Sequence, residues 1–531
     1  MNIHRIDFRK CSFGFVLIAQ CLMLAAPKPA SAGSCESLAT LEFPQTAIEK
    51  AEVVTQGVFK TVDNKPIENL PPFCRVTAVL KPSPDSDIRV EMWLPQSGWN
   101  GRLEGTGSGG LAGFIYYEQL ATGLRNGYAV VNTDMGMSVP GGSDASIFFN
   151  RPERWVDWGY RSTHEMTVFA KKLVEAYYGR AAQRSYFSGC STGGQQAMSE
   201  AQHYPEDYDG MVAGAPPNNR TGVHLNILWS FMAMHRTPEA YIPASKISLL
   251  EKAVLTACAG RGNIDEGVIN DPRQCRFDPA SLLCKGSDND SCLTGPQVET
   301  ARMIYQGPRN PRTHGEIYPG VPRGSESLWL RDFGAPPAAN EQPPFAPMFQ
   351  WVFGTGWQWR SFDFDTQATA LIHRLAPSVN ATNPDLDQLR KLGHKLLVYH
   401  GWEDSLVVPE ESVNYWKAVH AREQSRPAPA SAGKIDDSYR LFMVPGMGHC
   451  GGGPGAESID PLSAMVKWVE DGVAPERIIA TKYRADPLTP GIAYQRPLCP
   501  YPQVAHYRGS GKVEDAASYA CVNPDKLPAK R

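Results

Sequence analysis

The run Arg184-Ser-Tyr-Phe-Ser-Gly-Cys-Ser-Thr-Gly-Gly194, continuing into Gln195-Gln-Ala-Met-Ser-Glu-Ala-Gln-His203, reads as strand, sharp turn and helix. Its β-prone start at Tyr186, Phe187 and Ser188 meets a Gly-x-Ser-x-Gly pattern at Gly189, Ser191 and Gly193, and helix-forming residues follow without a gap. So tight a turn strains the backbone at Ser191 and throws its hydroxyl outward, while a Cβ at either flanking glycine would crowd the neighbouring chain. The N–H of Thr192, at the start of the helix, then points to where negative charge develops on a reacting carbonyl.

Two later stretches complete a pattern. Lys395-Leu-Leu-Val-Tyr-His-Gly-Trp-Glu-Asp404 reads as a buried strand ending in a carboxylate, and Tyr439-Arg-Leu-Phe-Met-Val-Pro-Gly-Met-Gly-His-Cys450 as a strand whose loop ends in His449. The order Ser, Asp, His is that of α/β-hydrolases, whose acid and base sit on loops leaving the carboxyl edge of later strands. A serine hydroxyl needs a neutral imidazole to take its proton, and the imidazole needs a carboxylate to hold its tautomer. Ser191, His449 and Asp404 fit those roles. Glu403 is the rival carboxylate, expected to face away if Asp404 faces inward, and His400 is a candidate neighbour of the substrate pocket or a structural histidine. If Ser191 and His449 touch, their neighbours Cys190 and Cys450 come within bridging distance.

The rest of the chain fits one large exported α/β protein. Residues 1–32 read as a signal peptide: Arg5, Arg9 and Lys10 precede an apolar stretch, and Ala30-Ser-Ala32 offers a small-residue cleavage site. No later run approaches the ~20 apolar residues a membrane span requires. A formal net charge of −3 gives no electrostatic footprint for nucleic acid. β-like runs at 51–59, 73–80, 88–94 and 128–133 resemble the early strands of a hydrolase sheet, and 162–178 has helical spacing. The expected division is a catalytic part over 33–217, a lid insertion over 218–385 and a second catalytic part over 386–531. Helical runs are expected at 225–234 and 245–257. The insertion also carries an aromatic group, among it Trp351, Trp357 and Trp359, that either lines a pocket for a flat aryl substrate or forms the insertion's own core. Arg323, Arg331 and Arg360 are possible partners for a substrate carboxylate.

With Gly-Cys-Ser-x-Gly-Gly, Gly-His-Cys and a Trp-x-Asp loop in place, the chain resembles the tannase and feruloyl esterase family, which includes mono(2-hydroxyethyl) terephthalate hydrolases. Gly105-Thr-Gly-Ser-Gly-Gly-Leu-Ala-Gly113, Val131-Asn-Thr-Asp-Met-Gly136 and Gly214-Ala-Pro-Pro217 support the resemblance. It implies that the loop with Gly109 and Gly110 supplies a second oxyanion donor beside Thr192. Ten of the 12 cysteines lie beyond the signal segment. Proximity suggests Cys258 with Cys275, Cys284 with Cys292 and Cys499 with Cys521, the active-site argument Cys190 with Cys450, and Cys35 with Cys74 is left. The resemblance implies the same five pairs. C-x-x-C spacing and paired histidines, the marks of a zinc site, are missing. Many relatives carry a calcium loop, but in the equivalent run from Cys258 two carboxylate positions are Ala259 and Gly262, and only Glu266 remains. Weak or no calcium binding, and no cofactor, is therefore expected.

The function these readings imply is a secreted or periplasmic serine esterase, acting on small feruloyl, galloyl or related aromatic-acid esters. The alternatives are a terephthalate half-ester hydrolase, a general esterase or peptidase on the same triad, and a catalytically silent protein that binds polyphenols or carbohydrates.

Overall fold

The computed structural model describes residues 33–139, 144–259, 267–334, 336, 338, 341–426, 433–485 and 490–526. Residues 1–32, expected as a signal peptide, and the run from Gly260 to Glu266 lie outside them.

Nine strands form one twisted sheet: β1 (Thr46–Val54), β2 (Phe73–Leu80), β3 (Ile88–Pro95), β4 (Arg102–Thr106), β5 (Ala129–Thr133), β6 (Arg184–Cys190), β7 (Gly210–Gly214), β8 (Lys395–Gly401) and β9 (Tyr439–Val444). The spatial order is β1-β2-β3-β5-β4-β6-β7-β8-β9. β1, β2, β3 and β5 pair antiparallel, and from β5 to β9 every pair is parallel. Parallel strands require crossovers, so helices cover both faces and the central strands are buried on both sides. That accounts for apolar runs such as Gly210–Gly214, buried at every position. Helices α1 (Tyr117–Arg125), α2 (Ser162–Tyr178), α3 (Thr192–His203), α4 (Arg220–His235), α5 (Ala244–Cys258), α6 (Gly295–Gln306), α7 (Ala346–Phe353), α8 (Thr366–Val379), α9 (Glu410–Ser425) and α10 (Pro461–Glu470) supply the cover and the insertion. Residues of α2, α3 and α9 share one core with the sheet, and α10 and α1 close the opposite face.

The early strands depart from expectation in two places. β1 lies five residues before the expected 51–59, because Gly57 turns at φ 70° and ends the pairing with Phe73–Leu80. β4 is a strand that falls between the expected β-like runs at 88–94 and 128–133. Glu104 and Gly105 have poor strand propensity, but the parallel ladders to β5 and β6 on either side override it.

The sheet breaks after Gly214 and resumes at Lys395. A neck closes the intervening segment: Ala381 N–H donates to the Asn218 carbonyl at 2.7 Å, and Thr221 N–H to the Asn380 side chain at 3.0 Å. Among the described residues the segment has no sheet of its own. Its helices bury their faces in two cores that also take in Leu111, Met135, Phe148 and Trp158 from the loops above β4 and β5, and Val407 and Val408 from the loop after β8. It is thus packed directly on the carboxyl edge of the sheet.

Candidate active site

Three glycines set the turn. An added Cβ at Gly189 would lie 2.7 Å from Gly193, and one at Gly193 would lie 2.9 Å from the Cα of Gly107. The strand end, the helix start and the β4 loop therefore touch backbone to backbone. Between them Ser191 is held at φ 61°, ψ −124°, a conformation that non-glycine residues rarely adopt. Its N–H donates to the Gly214 carbonyl at 2.9 Å, so β7 anchors the strained residue.

The turn brings Ser191 Oγ 2.8 Å from His449 Nε2, and His449 Nδ1 lies 2.7 Å from Asp404 Oδ2. The imidazole thus donates from Nδ1 to the acid and accepts the serine hydroxyl at Nε2. Asp404 is fully buried; its Oδ1 accepts the N–H groups of Leu406 and Val407, each at 2.9 Å. Burial alone would raise its carboxyl, but His449 and His400 outweigh burial and hold it well below the usual carboxylate range. Burial likewise pulls His449 down, yet the Asp404 charge and hydrogen bond prevail and raise it above 6.5. The Cys190–Cys450 disulfide, with Cα atoms 5.9 Å apart, ties the serine turn to the histidine loop across 260 positions.

His400 lies behind the acid. It is fully buried, and Nε2–H is shared between the Val407 carbonyl at 2.8 Å and Asp404 at 3.2 Å while Nδ1 accepts from Ser412 at 2.8 Å. Glu403 turns the other way, toward Gly324 and Ile269. Burial, then the Glu326 and Glu251 charges, push its carboxyl up to about 8, which leaves it unsuited to orient a histidine.

The loop after β4 wraps the helix start. Gly193 N–H donates to the Ser108 carbonyl at 2.8 Å, and Ser108 N–H to Gln196 at 2.8 Å. The Gly110 carbonyl accepts from the Thr192 hydroxyl at 2.6 Å and from Arg220 at 2.8 Å. Gly109 N–H faces the Tyr116 hydroxyl, and the N–H groups of Thr192 and Gly110 meet no acceptor among the described residues. Thr192 and the two glycines are therefore together beside Ser191.

Other expected site residues fall elsewhere. Trp351, Trp357 and Trp359 are buried in the insertion's aromatic core: Trp351 stacks on Phe148, Trp357 on Phe349, and Trp359 meets Phe231 edge-on. Arg323 lies over Tyr305 and donates to the Phe277 carbonyl, and Arg360 pairs with Glu341. Arg331 alone of the arginine candidates reaches the triad. It forks onto Asp332, which also accepts from Ser405, the residue after Asp404, and both charges act on His449. Leu328 lies against Gly448 on the same side. Sequence reasoning missed Asp332, Ser405 and Arg220, because no local signal links the insertion to these loops.

The other disulfides are Cys35–Cys74, Cys258–Cys275, Cys284–Cys292 and Cys499–Cys521. Asp288, between Cys284 and Cys292, is paired with Lys246, so this acidic and sulfur-bearing group offers no open metal site. No helix among the described residues is long and apolar enough to cross a membrane.

The comparisons with known proteins identify the family. The family model for tannase and feruloyl esterase matches residues 74–522. The chain belongs to the tannase and feruloyl esterase family. An uncharacterized esterase of Xanthomonas campestris is 37% identical over 529 residues, 93% of this chain and 92% of that protein. A probable feruloyl esterase B-2 of Aspergillus terreus is 32% identical over 528 residues, 94% of this chain and 96% of that one. The crystal structure of feruloyl esterase B from Aspergillus oryzae is similar with a TM-score of 0.80 at 29% identity, covering 92% and 99% of the two chains. As a tannase and feruloyl esterase family member the chain is a carboxylic ester hydrolase with an α/β-hydrolase fold. The calcium-type run of this family reads differently here. Glu266 lies outside the described residues; at the described ends Ala259 has no side-chain ligand, and both Asp271 oxygens are taken by Arg273.

Proposed function

We propose that the protein hydrolyses small esters of aromatic, phenolic acids through an acyl-enzyme. The observation that carries this reading is the unbroken bond chain from Ser191 through His449 to Asp404. Ser191 Oγ attacks the ester carbonyl and its proton passes to His449 Nε2. The N–H of Thr192 and an N–H of the Gly109–Gly110 segment hold the oxyanion, with Asp404 stabilising the imidazolium. Collapse of the intermediate expels the alcohol, which takes the proton from His449. Water then attacks the acyl carbonyl, gives its proton to His449, and the acid leaves as the proton returns to Ser191. The names of the relatives support the acid side, since feruloyl esterases occur among them. In this reading the inserted segment is a lid whose Leu328 and Asp332 border the histidine side, and the lid aromatics shape the site through packing. Five disulfides and the amino-terminal signal sequence support export to an oxidising compartment.

A narrower substrate class has one observation in its favour: the half-exposed Arg331 guanidinium beside the triad suits an ester that also bears a free carboxylate. Hydrolysis of methyl ferulate, methyl gallate, a terephthalate half-ester and a p-nitrophenyl alkanoate by wild type and Ser191→Ala tests both. Loss of the nucleophile is expected to cost about 10⁴-fold or more in kcat. A folded wild type inactive on every aryl-acid ester overturns the reading; preference for the half-ester supports the narrower class.

A further inference from the structure

Arg220, the first residue of α4, is a buried cation, only 3% exposed, and no carboxylate among the described residues pairs with it. Taking a guanidinium out of water costs several kcal/mol, and an unpaired one is seldom kept without a compensating interaction. Here all acceptors are neutral. Nη2 donates to the Gly110 carbonyl at 2.8 Å, Nη1 to the Thr192 hydroxyl at 3.2 Å, and Nε to His224 Nε2 at 3.0 Å. The plane lies 4.9 Å over Trp158, whose indole N–H in turn donates to the Leu111 carbonyl at 3.0 Å. Arg220 and Trp158 thus grip consecutive peptides of the β4 loop, while Thr192 begins the nucleophile helix.

Those are the two segments that converge on the carbonyl in the proposed reaction, on which this inference rests. We infer that Arg220 is a positioning residue for the oxyanion site: it clamps the Gly110 loop to Thr192 and sets a fixed positive charge behind the N–H groups that receive the developing negative charge. The charge arrangement is complementary to the transition state. In the resting enzyme Asp404 is a buried charge on the histidine side and Arg220 is one on the oxyanion side. When Ser191 attacks, imidazolium forms against Asp404 and oxyanion forms on the side of Arg220, so each new charge meets a fixed opposite one in a water-poor site. The cation that is uncompensated in the ground state gains a counter-charge only during reaction, and such an interaction raises kcat rather than binding. Burial pulls the Arg220 guanidinium down to about 9, as expected for a charge that the ground state leaves unneutralised. His224 is held neutral by burial and by the same arginine, so it can accept from Nε without adding a second charge.

The test compares wild type, Ser191→Ala, Arg220→Gln and Arg220→Lys on methyl ferulate, with kcat, KM and melting temperature measured for each. Removing a direct oxyanion donor costs about 10²–10³ in kcat, so loss of a residue acting through two such segments is expected to cost Arg220→Gln about ten- to a hundredfold in kcat with KM within about threefold. Arg220→Lys, which keeps charge but loses the fork, is expected between Gln and wild type at a similar melting temperature. Wild-type kcat in folded Arg220→Gln, or equal losses in the Gln and Lys variants that track melting temperature, overturns the inference. If Arg220→Gln does not fold, Lys decides: reduced kcat at wild-type stability supports the role, and unchanged kcat overturns it. A folded wild type without esterase activity removes the reading itself; an active wild type, a silent Ser191→Ala and a wild-type-like Arg220→Gln remove this inference alone.

Discussion

At Asp404, a fully buried carboxylate receives four hydrogen bonds, from Leu406, Val407, His400 and His449, and each of them favours the charged form. Its second oxygen is shared by two imidazoles, so the acid is held from behind by His400 and works forward on His449. The sign of the pH effect follows. In the proposed reaction His449 accepts the serine proton only when neutral, and the adjacent carboxylate raises it above 6.5. The acid limb of kcat/KM is therefore expected at a midpoint above 6.5, with activity rising as pH rises through it. In Asp404→Asn the attraction is lost, the imidazole keeps the wrong tautomer, and the midpoint moves down while kcat falls by about 10³–10⁴. A pH–rate profile of both proteins checks this; an unshifted midpoint in the variant would mean that Asp404 does not set the histidine. His400→Asn tests the support from behind. A loss of about tenfold or less in kcat with wild-type KM is expected, because Asp404 keeps its backbone donors and loses only one of its partners. KM rising instead would put His400 in the substrate site.

Among the elements, the decisive junction is between the end of β6 and the loop after β9, which the sheet order keeps two strands apart and the Cys190–Cys450 bridge ties together. Cys190 and Cys450 each adjoin a residue of the proposed triad, so the bond fixes the serine–histidine separation as well as closing a long loop. The Cys190→Ala/Cys450→Ala double variant is expected to lose about 2–5 kcal/mol of stability in denaturant unfolding. It should also lose kcat with little change in KM, since the triad separation loosens while the pocket walls remain. Stability lost with kcat intact would reduce the bridge to a staple. This junction was readable from sequence because the strained turn, the two cysteines and the loop histidine are each written in a few adjacent residues. α2 at 162–178 and β2 at 73–80 were equally legible, their burial being dictated by spacing alone. β4 was not, since Glu104 and Gly105 become strand only through pairing on both sides. Nor were the contacts of Arg220 with Gly110 or of Asp332 with Ser405, which join segments 110 and 73 residues apart and have no local pattern. The insertion's tryptophans show the same boundary: their clustering in sequence was visible, but whether they face substrate or one another depends on the packing of α4, α7 and α8.

Across the whole molecule, the buried carboxyls set stability against pH in a direction opposite to catalysis. Burial pushes Glu104 and Glu403 up to about 8, Glu326 and Glu411 to about 7 and Asp134 to about 6, and raises Glu200 as well. Between their unfolded and folded pKa values these groups bind more protons in the native state, so stability falls as pH rises through that window. His449, raised in the fold, contributes in the same direction, whereas His203 and His224, lowered by burial, oppose it. The carboxyls are more numerous. At the acid end the depressed Asp404 supplies stability present above its unfolded pKa and lost as pH falls. The melting temperature is therefore expected to peak near about pH 5 and to decline toward pH 8, while kcat/KM climbs over the same interval as His449 loses its proton. Glu104 isolates the cause, because burial alone shifts it and it lies far from the triad, against Gly123 and Val130. Glu104→Gln should flatten the alkaline decline and leave the pH–rate midpoint where it is. Calorimetric scans of both proteins from pH 4 to 9 decide: a wild-type melting temperature that rises from pH 5 to 8, or a variant with the same slope, would show that these buried acids do not govern the pH dependence of the fold.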